Sequence, residues 1–161
     1  MVDDAGRTVG VVTRREMRAL RLPHRATYVL VFNGRGELFV HLRSAGKDIY
    51  PWYWDSCVGG VLAAGEKFDT GAARELAEEL GVEAPLERLF PLRYDDAHTS
   101  VHGMVYRTRH EGPFQLQAEE VVRGEFLTLA AVEERASSEP FCPDGRAVLA
   151  EYRRWLEAEP S

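Results

Sequence analysis

The segment GEKFDTGAARELAEELGV, residues 65–82, has few ways to fold other than as a helix with two distinct faces. At 3.6 residues per turn, Ala73, Leu76 and Leu80 form a stripe that must be covered. Glu75, Glu78 and Glu79 fall beside it within a sector of about 100°. Asp69 or Thr70 is the expected N-cap, and Gly81 the expected left-handed stop. The charges run against the helix. Like charges at i, i+3 and i+4 cost a few tenths of a kcal/mol per pair, and the C-terminal end of a helix favours cations. The last helix, expected within CPDGRAVLAEYRRWLEAE, does the reverse, with Asp144 as its expected N-cap and Arg153–Arg154 towards its end.

Such an acidic face is either a solvated surface or a site for a hard cation. Mg²⁺ takes oxygen ligands, keeps several waters, and is typically shared between a few carboxylates and substrate phosphates. The surrounding residues decide between the two. From Gly60 the chain reads G, five residues, Glu66, seven residues, then R74-E75-L76-A77-E78-E79-L80-G81-V82. This resembles the Nudix box, G-x5-E-x7-R-E-U-x-E-E-x-G-U with U a bulky aliphatic residue, at every specified position over residues 60–82.

The resemblance implies an α/β/α sandwich with a mixed β-sheet, over a single domain spanning residues 1–161. It implies a hydrolase that cleaves a diphosphate bond with Mg²⁺ or Mn²⁺. By the same resemblance Glu75, Glu78 and Glu79 are metal ligands, and Glu66 and Arg74 form a supporting pair that orients Glu75. The general base is Glu75 or an acid of a later loop. Among Glu119, Glu120 and Glu125 in QAEEVVRGEF, Glu120 is the favoured extra ligand or base.

The rest of the chain reads as a mixed sheet flanked by helices. ATYVLVFNGRGELFVHLRS is a hairpin signal around NGRG, SCVGGVL a short strand entering a loop, and SVHGMVYRTR a further strand. GEFLTLAAVEER reads as a strand running into a short helix. The segment LPHRATYVLVFNGRGELFVHLRSAGKDIYPWYWDSCVGG is also similar to the matching part of type 1 isopentenyl diphosphate isomerase. The chain is therefore read as a subgroup with an isomerase-like N-terminal half. That enzyme's cysteine and metal-binding histidine, however, would fall on Gly59 and Val61. Cys57 sits two positions early, a displacement of roughly 6–7 Å along a strand. An intact box further separates the chain from those isomerases.

Other candidates carry less. Arg43 and Lys47 suit phosphate oxygens. Trp52 and Tyr53 in KDIYPWYWD are expected at a pocket wall or a homodimer contact, and Trp54 in the core. His24 is expected as a hydrogen-bonded structural residue, with His98 and His102 at the pocket or surface. Cys57 is expected to be inert.

A formal charge of -6 over 161 residues disfavours non-specific nucleic-acid binding and anionic membranes. Two well-separated cysteines and no leader-like or spanning apolar run suggest a soluble, cytoplasmic protein. The expected substrate is a small molecule, a nucleoside diphosphate linked to another moiety. The alternatives are an isomerase-like enzyme and a nucleotide sensor without turnover.

Overall fold

The computed structural model describes residues 1–160. In chain order the elements are α1 (Arg14–Ala19), β1 (His24–Phe32), β2 (Leu38–Arg43), β3 (Trp54–Asp55), α2 (Phe68–Leu80), β4 (Glu87–Asp95), β5 (Ser100–Arg109), β6 (Val121–Leu127), α3 (Leu129–Ser138) and α4 (Pro143–Ala158). The six strands make one mixed sheet in the order β3-β2-β1-β5-β4, with β6 also paired to β2. β1 and β5 run parallel from His24↔Val101 to Phe32↔Arg109, and the β4–β5 and β2–β6 ladders are antiparallel.

Alternation along β1 distributes the helices. Tyr28 and Leu30 point to a core shared with Val132 and Ala136 of α3 and Val148, Leu149 and Tyr152 of α4. Val29 and Val31 point the other way, to Ala72, Leu76 and Leu80 of α2. A period of two on a strand buried on both faces thus produces helices on both sides. Burying Leu76 and Leu80 fully contributes about 2 kcal/mol each, enough to seat α2 despite its charges. Among the described residues no helix is long and apolar enough to cross a membrane.

Several local expectations are corrected. The NGRG hairpin forms, but β1 and β2 pair only at Phe32↔Leu38 before they diverge. SCVGGVL makes isolated bridges, Val29↔Val58 and Ala26↔Val61, instead of a ladder. The N-cap of α2 is Lys67, without a side-chain cap. Asp69 is instead occupied by the Tyr106 hydroxyl, which donates to its carboxylate. Ala73 is exposed, and the covered stripe is Ala72, Leu76 and Leu80, with Glu79 drawn in beside them. The N-cap of α4 is Cys142, with Pro143 in its first turn, so Asp144 lies one step inside the helix. Gly81 does end α2 in the left-handed region at φ 68°, its N–H bonded to the Ala77 carbonyl at 2.9 Å.

Candidate active site

The acids of α2 face a cleft of about 450 Å³ lined on one side by Arg74, Glu75, Glu78 and Glu79, with Glu120 and Lys47 at its edge. Arg74 is the hub. Its guanidinium grips Glu66 with two hydrogen bonds of 2.8 and 2.9 Å, and also reaches Glu75 at 2.9 Å and Glu78 at 3.2 Å. Glu66 in turn accepts from the Ala63 N–H at 3.1 Å, closing the loop before α2, and its bonds to Arg74 hold its carboxyl below the usual range. The geometry therefore joins Glu66, Arg74 and Glu75.

Gly60 has a steric reason. A Cβ there would stand 2.7 Å from Oε1 and 3.1 Å from Oε2 of Glu75, so a side chain at this position would push the carboxylate from its place.

Two of the acids are held at electrostatic cost. Glu79 is 4% exposed, and burial pushes its carboxyl up to about 8; Lys47 opposes that rise and Glu75 adds to it. Burial also raises Glu75, against the pull of Arg74. Carboxylates partly withdrawn from water, with fewer cations than acids, are a donor set that fits a hard divalent ion. Among the described residues no three acids or histidines already converge on one point. Arg74 and Lys47 draw the oxygens to themselves.

Glu120 comes from a loop some forty residues beyond the helix, and backbone hydrogen bonds bring it there. The Gln115 N–H donates to the Leu80 carbonyl at 3.0 Å and the Gln117 N–H to the Glu79 carbonyl at 3.1 Å. Both carbonyls belong to the last turn of α2, where intrahelical partners run out. Glu120 then follows, its N–H on the Gln117 carbonyl at 2.9 Å and its carboxylate paired with the Lys47 ammonium.

The other substrate-binding expectations fare differently. Arg43 is turned away from this cleft. It donates to the Ile49 and Tyr50 carbonyls at 3.0 and 3.3 Å and stands 3.7 Å from Asp55. Trp52 and Tyr53 do not line the cleft: Trp52 is 56% exposed, and Tyr53 packs on Tyr50 at 5.4 Å between ring centroids. The loop's backbone, with positive φ at Tyr50 and Trp52, aims these rings elsewhere. Trp54 is buried, under the guanidinium of Arg135 at 4.3 Å, as a core residue should be. His24 lines the cleft but is buried, bonded through Nδ1 to the Leu22 carbonyl at 2.9 Å, and burial lowers it to about 4. It is a neutral imidazole. His98 and His102 lie outside the lining. Cys57 is buried, with burial pushing its thiol well up, which suits an inert residue.

The opposite wall of the cleft was not legible from the box. It consists of the N-terminal arm, including Val11 and Val12, with Met17 of α1; Arg25 and Gln117 complete the rim. α1 carries a capping box, Thr13 with Glu16, and that T-x-x-E spacing is the signal that could have revealed it.

Beside the cleft a chamber of about 70 Å³ is lined by Asp55, Asp144, Arg43 and Tyr28. Burial and the charge of Asp144 raise Asp55 from 3.8 to about 7. The folded chain therefore keeps a proton on Asp55 between about pH 4 and 7 that the unfolded chain releases. Its contribution to stability falls as pH rises through that window. Asp55→Asn should flatten the decline, so that its melting temperature gains on wild type from pH 4 to pH 8. An unchanged slope in the variant would assign the decline to other groups.

The comparisons with known proteins agree with this geometry. A model of the NUDIX domain matches residues 22–151. Over 152 residues the chain is 38% identical to the Nudix hydrolase PA4841 of Pseudomonas aeruginosa, covering 94% of this chain and 90% of that one. It is 39% identical to the Nudix hydrolase SCO1686 of Streptomyces coelicolor over 161 residues, covering 98% and 89%. The crystal structure of DR0079 from Deinococcus radiodurans superposes with a TM-score of 0.82 at 25% identity, over 93% of this chain and 95% of that one. The NUDIX domain of Shewanella oneidensis NrtR, solved with ADP-ribose, shares the fold with a TM-score of 0.67 at 19% identity, over 90% and 99%. This chain belongs to the Nudix hydrolase family, whose members act on pyrophosphate bonds. The isomerase-like subgroup read from the N-terminal half finds no support in these relatives, which are named as Nudix hydrolases.

Proposed function

We propose that this protein hydrolyses the diphosphate bond of a nucleoside diphosphate linked to another moiety, with Mg²⁺ or Mn²⁺ held by Glu75, Glu78 and Glu79. The observation that carries this reading is the grouping of these acids with Arg74 and Glu120 along one cleft that also presents Lys47 and Arg25. A bound divalent cation activates a water and offsets charge on the diphosphate oxygens.

The chain's own residues divide the remaining work. Arg74, anchored by Glu66, fixes the direction of Glu75. Glu120 is a further ligand or the base, placed by its loop at the end of α2. Lys47 neutralises phosphate charge. ADP-ribose, the ligand of the Shewanella oneidensis neighbour, belongs to the proposed substrate class, and a common fold gives that comparison the weight of analogy. The buried free thiols Cys57 and Cys142 suit the cytoplasm, and exposed Trp52 is where a homodimer contact would be sought.

The test is phosphate or nucleotide release from a panel of diphosphate compounds, with Mg²⁺, with Mn²⁺ and with EDTA. Isopentenyl diphosphate belongs in the panel, its isomer assayed separately. Metal-dependent cleavage of nucleoside diphosphate derivatives is expected. Metal-dependent nucleotide binding without cleavage would replace this reading with a sensor.

A further inference from the structure

Lys47 is the feature of the cleft that the acids alone do not account for. It arrives on the loop after β2, and its side chain is only 13% exposed. Among the described residues its one ion-pair partner is Glu120. Both ends of that pair are fixed. The Ser44 N–H donates to the Glu120 carbonyl at 3.1 Å, the Ser44 hydroxyl to the Glu119 carbonyl, and the Lys47 N–H to the Ser44 carbonyl at 3.4 Å. From the other side, Gln117 ties the same loop to the Glu79 carbonyl. The ammonium thus sits where the loop of Glu120 meets the end of α2. Burial works against its charge, and the fields of Glu79 and Glu75 support it.

Resting on the reading that the acids take a divalent cation, we propose that Lys47 is a displaceable counter-ion of this cluster. It holds Glu120 while the cluster lacks that cation, yields the carboxylate when the cation binds, and is thereby freed to donate to a phosphate oxygen of the substrate. The chemistry favours an exchange. An ammonium is a compact charge with three donors on a flexible stem, able to change partner without disturbing its backbone. A doubly charged ion nearby both outcompetes it for Glu120 and repels it towards the next anion. An arginine in its place, with a rigid fork, would be slower to let go.

The experiment measures Mn²⁺ affinity of the intact chain by electron paramagnetic resonance, without substrate. Lys47→Met keeps the stem and removes the charge; it should bind Mn²⁺ about tenfold more tightly, the order given by deleting a unit charge several ångströms from a divalent ion. Arg25→Met is the charge control. Arg25 lines the same cleft but donates to the Glu66 and Ala63 carbonyls at 2.8 and 3.5 Å, and its loss should change the affinity by less than about threefold. In the presence of Mn²⁺, Lys47→Met should bind methylenediphosphonate about tenfold more weakly.

Opposite signs on the two ligands are the signature, because a misfolded variant loses both. The gain in Mn²⁺ affinity should also shrink in a Glu120→Gln background, where there is no carboxylate to hand over. Unchanged or weaker Mn²⁺ binding by Lys47→Met overturns the proposal, as does an equal gain in both backgrounds or from Arg25→Met. Unchanged methylenediphosphonate affinity overturns the phosphate contact. Wild type that binds no Mn²⁺ removes the cation reading and this one together, whereas metal binding without turnover would leave it standing.

Discussion

Glu79→Gln is expected to make the metal-free protein more stable and to remove its activity. Glu79 is buried, accepts no side-chain hydrogen bond among the described residues, and lies one helical turn from Glu75, whose charge opposes its own. Its charged form is disfavoured up to about pH 8, whereas the unfolded chain ionises near 4.5. Folding therefore becomes less favourable as pH rises through that interval, and a neutral amide of the same shape escapes the loss. The variant should be about 1–3 kcal/mol more stable at pH 8 by chemical denaturation in EDTA, the order expected when a poorly compensated buried carboxylate is neutralised. On the proposed role of Glu79 as a metal ligand, turnover should fall at least ~100-fold. A variant less stable than wild type in EDTA would make Glu79 a structural acid and sink this account of the helix. Glu78 makes a useful contrast. It is half exposed and already paired with Arg74, so its neutralisation should leave stability nearly unmoved.

Gly60→Ala should separate activity from stability in another way. The added methyl would stand 2.7 Å from the Glu75 carboxylate, which lies at the end of a flexible side chain and can yield. Turnover should drop about 10–100-fold while the melting temperature moves little, because a displaced functional carboxylate is costly to chemistry and cheap to the fold. Gly59→Ala is the counterpart. Its φ is 151°, and its Cβ would meet the Thr27 carbonyl oxygen at 2.0 Å, a backbone atom inside β1 that cannot yield. That variant should lose several kcal/mol and fold poorly. Equal stability losses in the two variants, measured by thermal melts, would show that the loop rather than Glu75 absorbs the methyl at position 60.

The sequence was most informative where one pattern served both fold and chemistry. The residues of the box had fixed spacing, and Glu66, Arg74 and Glu75 meet in space through the Arg74 guanidinium. Gly81 was legible because a left-handed stop requires a particular residue type. The caps were not, since Asp69 had a competing partner in Tyr106, thirty-seven residues away, that no local window contains. β4 escaped notice for a related reason: it carries Pro91, and most of its residues are exposed or half-exposed, so the alternation is weak. Arg43 and Lys47 sit four residues apart and carry the same charge, yet only Lys47 reaches the cleft lined by the box acids. That difference lies in the path of the chain between them, where Ser44 bonds to the Glu119 and Glu120 carbonyls, and composition does not encode such a path. The N-terminal arm was missed because its apolar residues show no period until the cleft gives them a surface to face.

The two backbone bonds between residues 115–117 and the last turn of α2 also define which parts of the chain can be exchanged. They graft Glu120 onto the end of the helix, so acids distant in sequence behave as one rigid platform. The arm before α1 and the loop carrying Lys47 line the same cleft from other parts of the chain. The turn between β4 and β5 can change length without moving an acid, whereas one residue inserted between Gln115 and Glu120 would shift the carboxylate out of register. Natural or engineered diversification of such a domain has its freedom in the walls, and its inheritance in six residues of loop and one turn of helix.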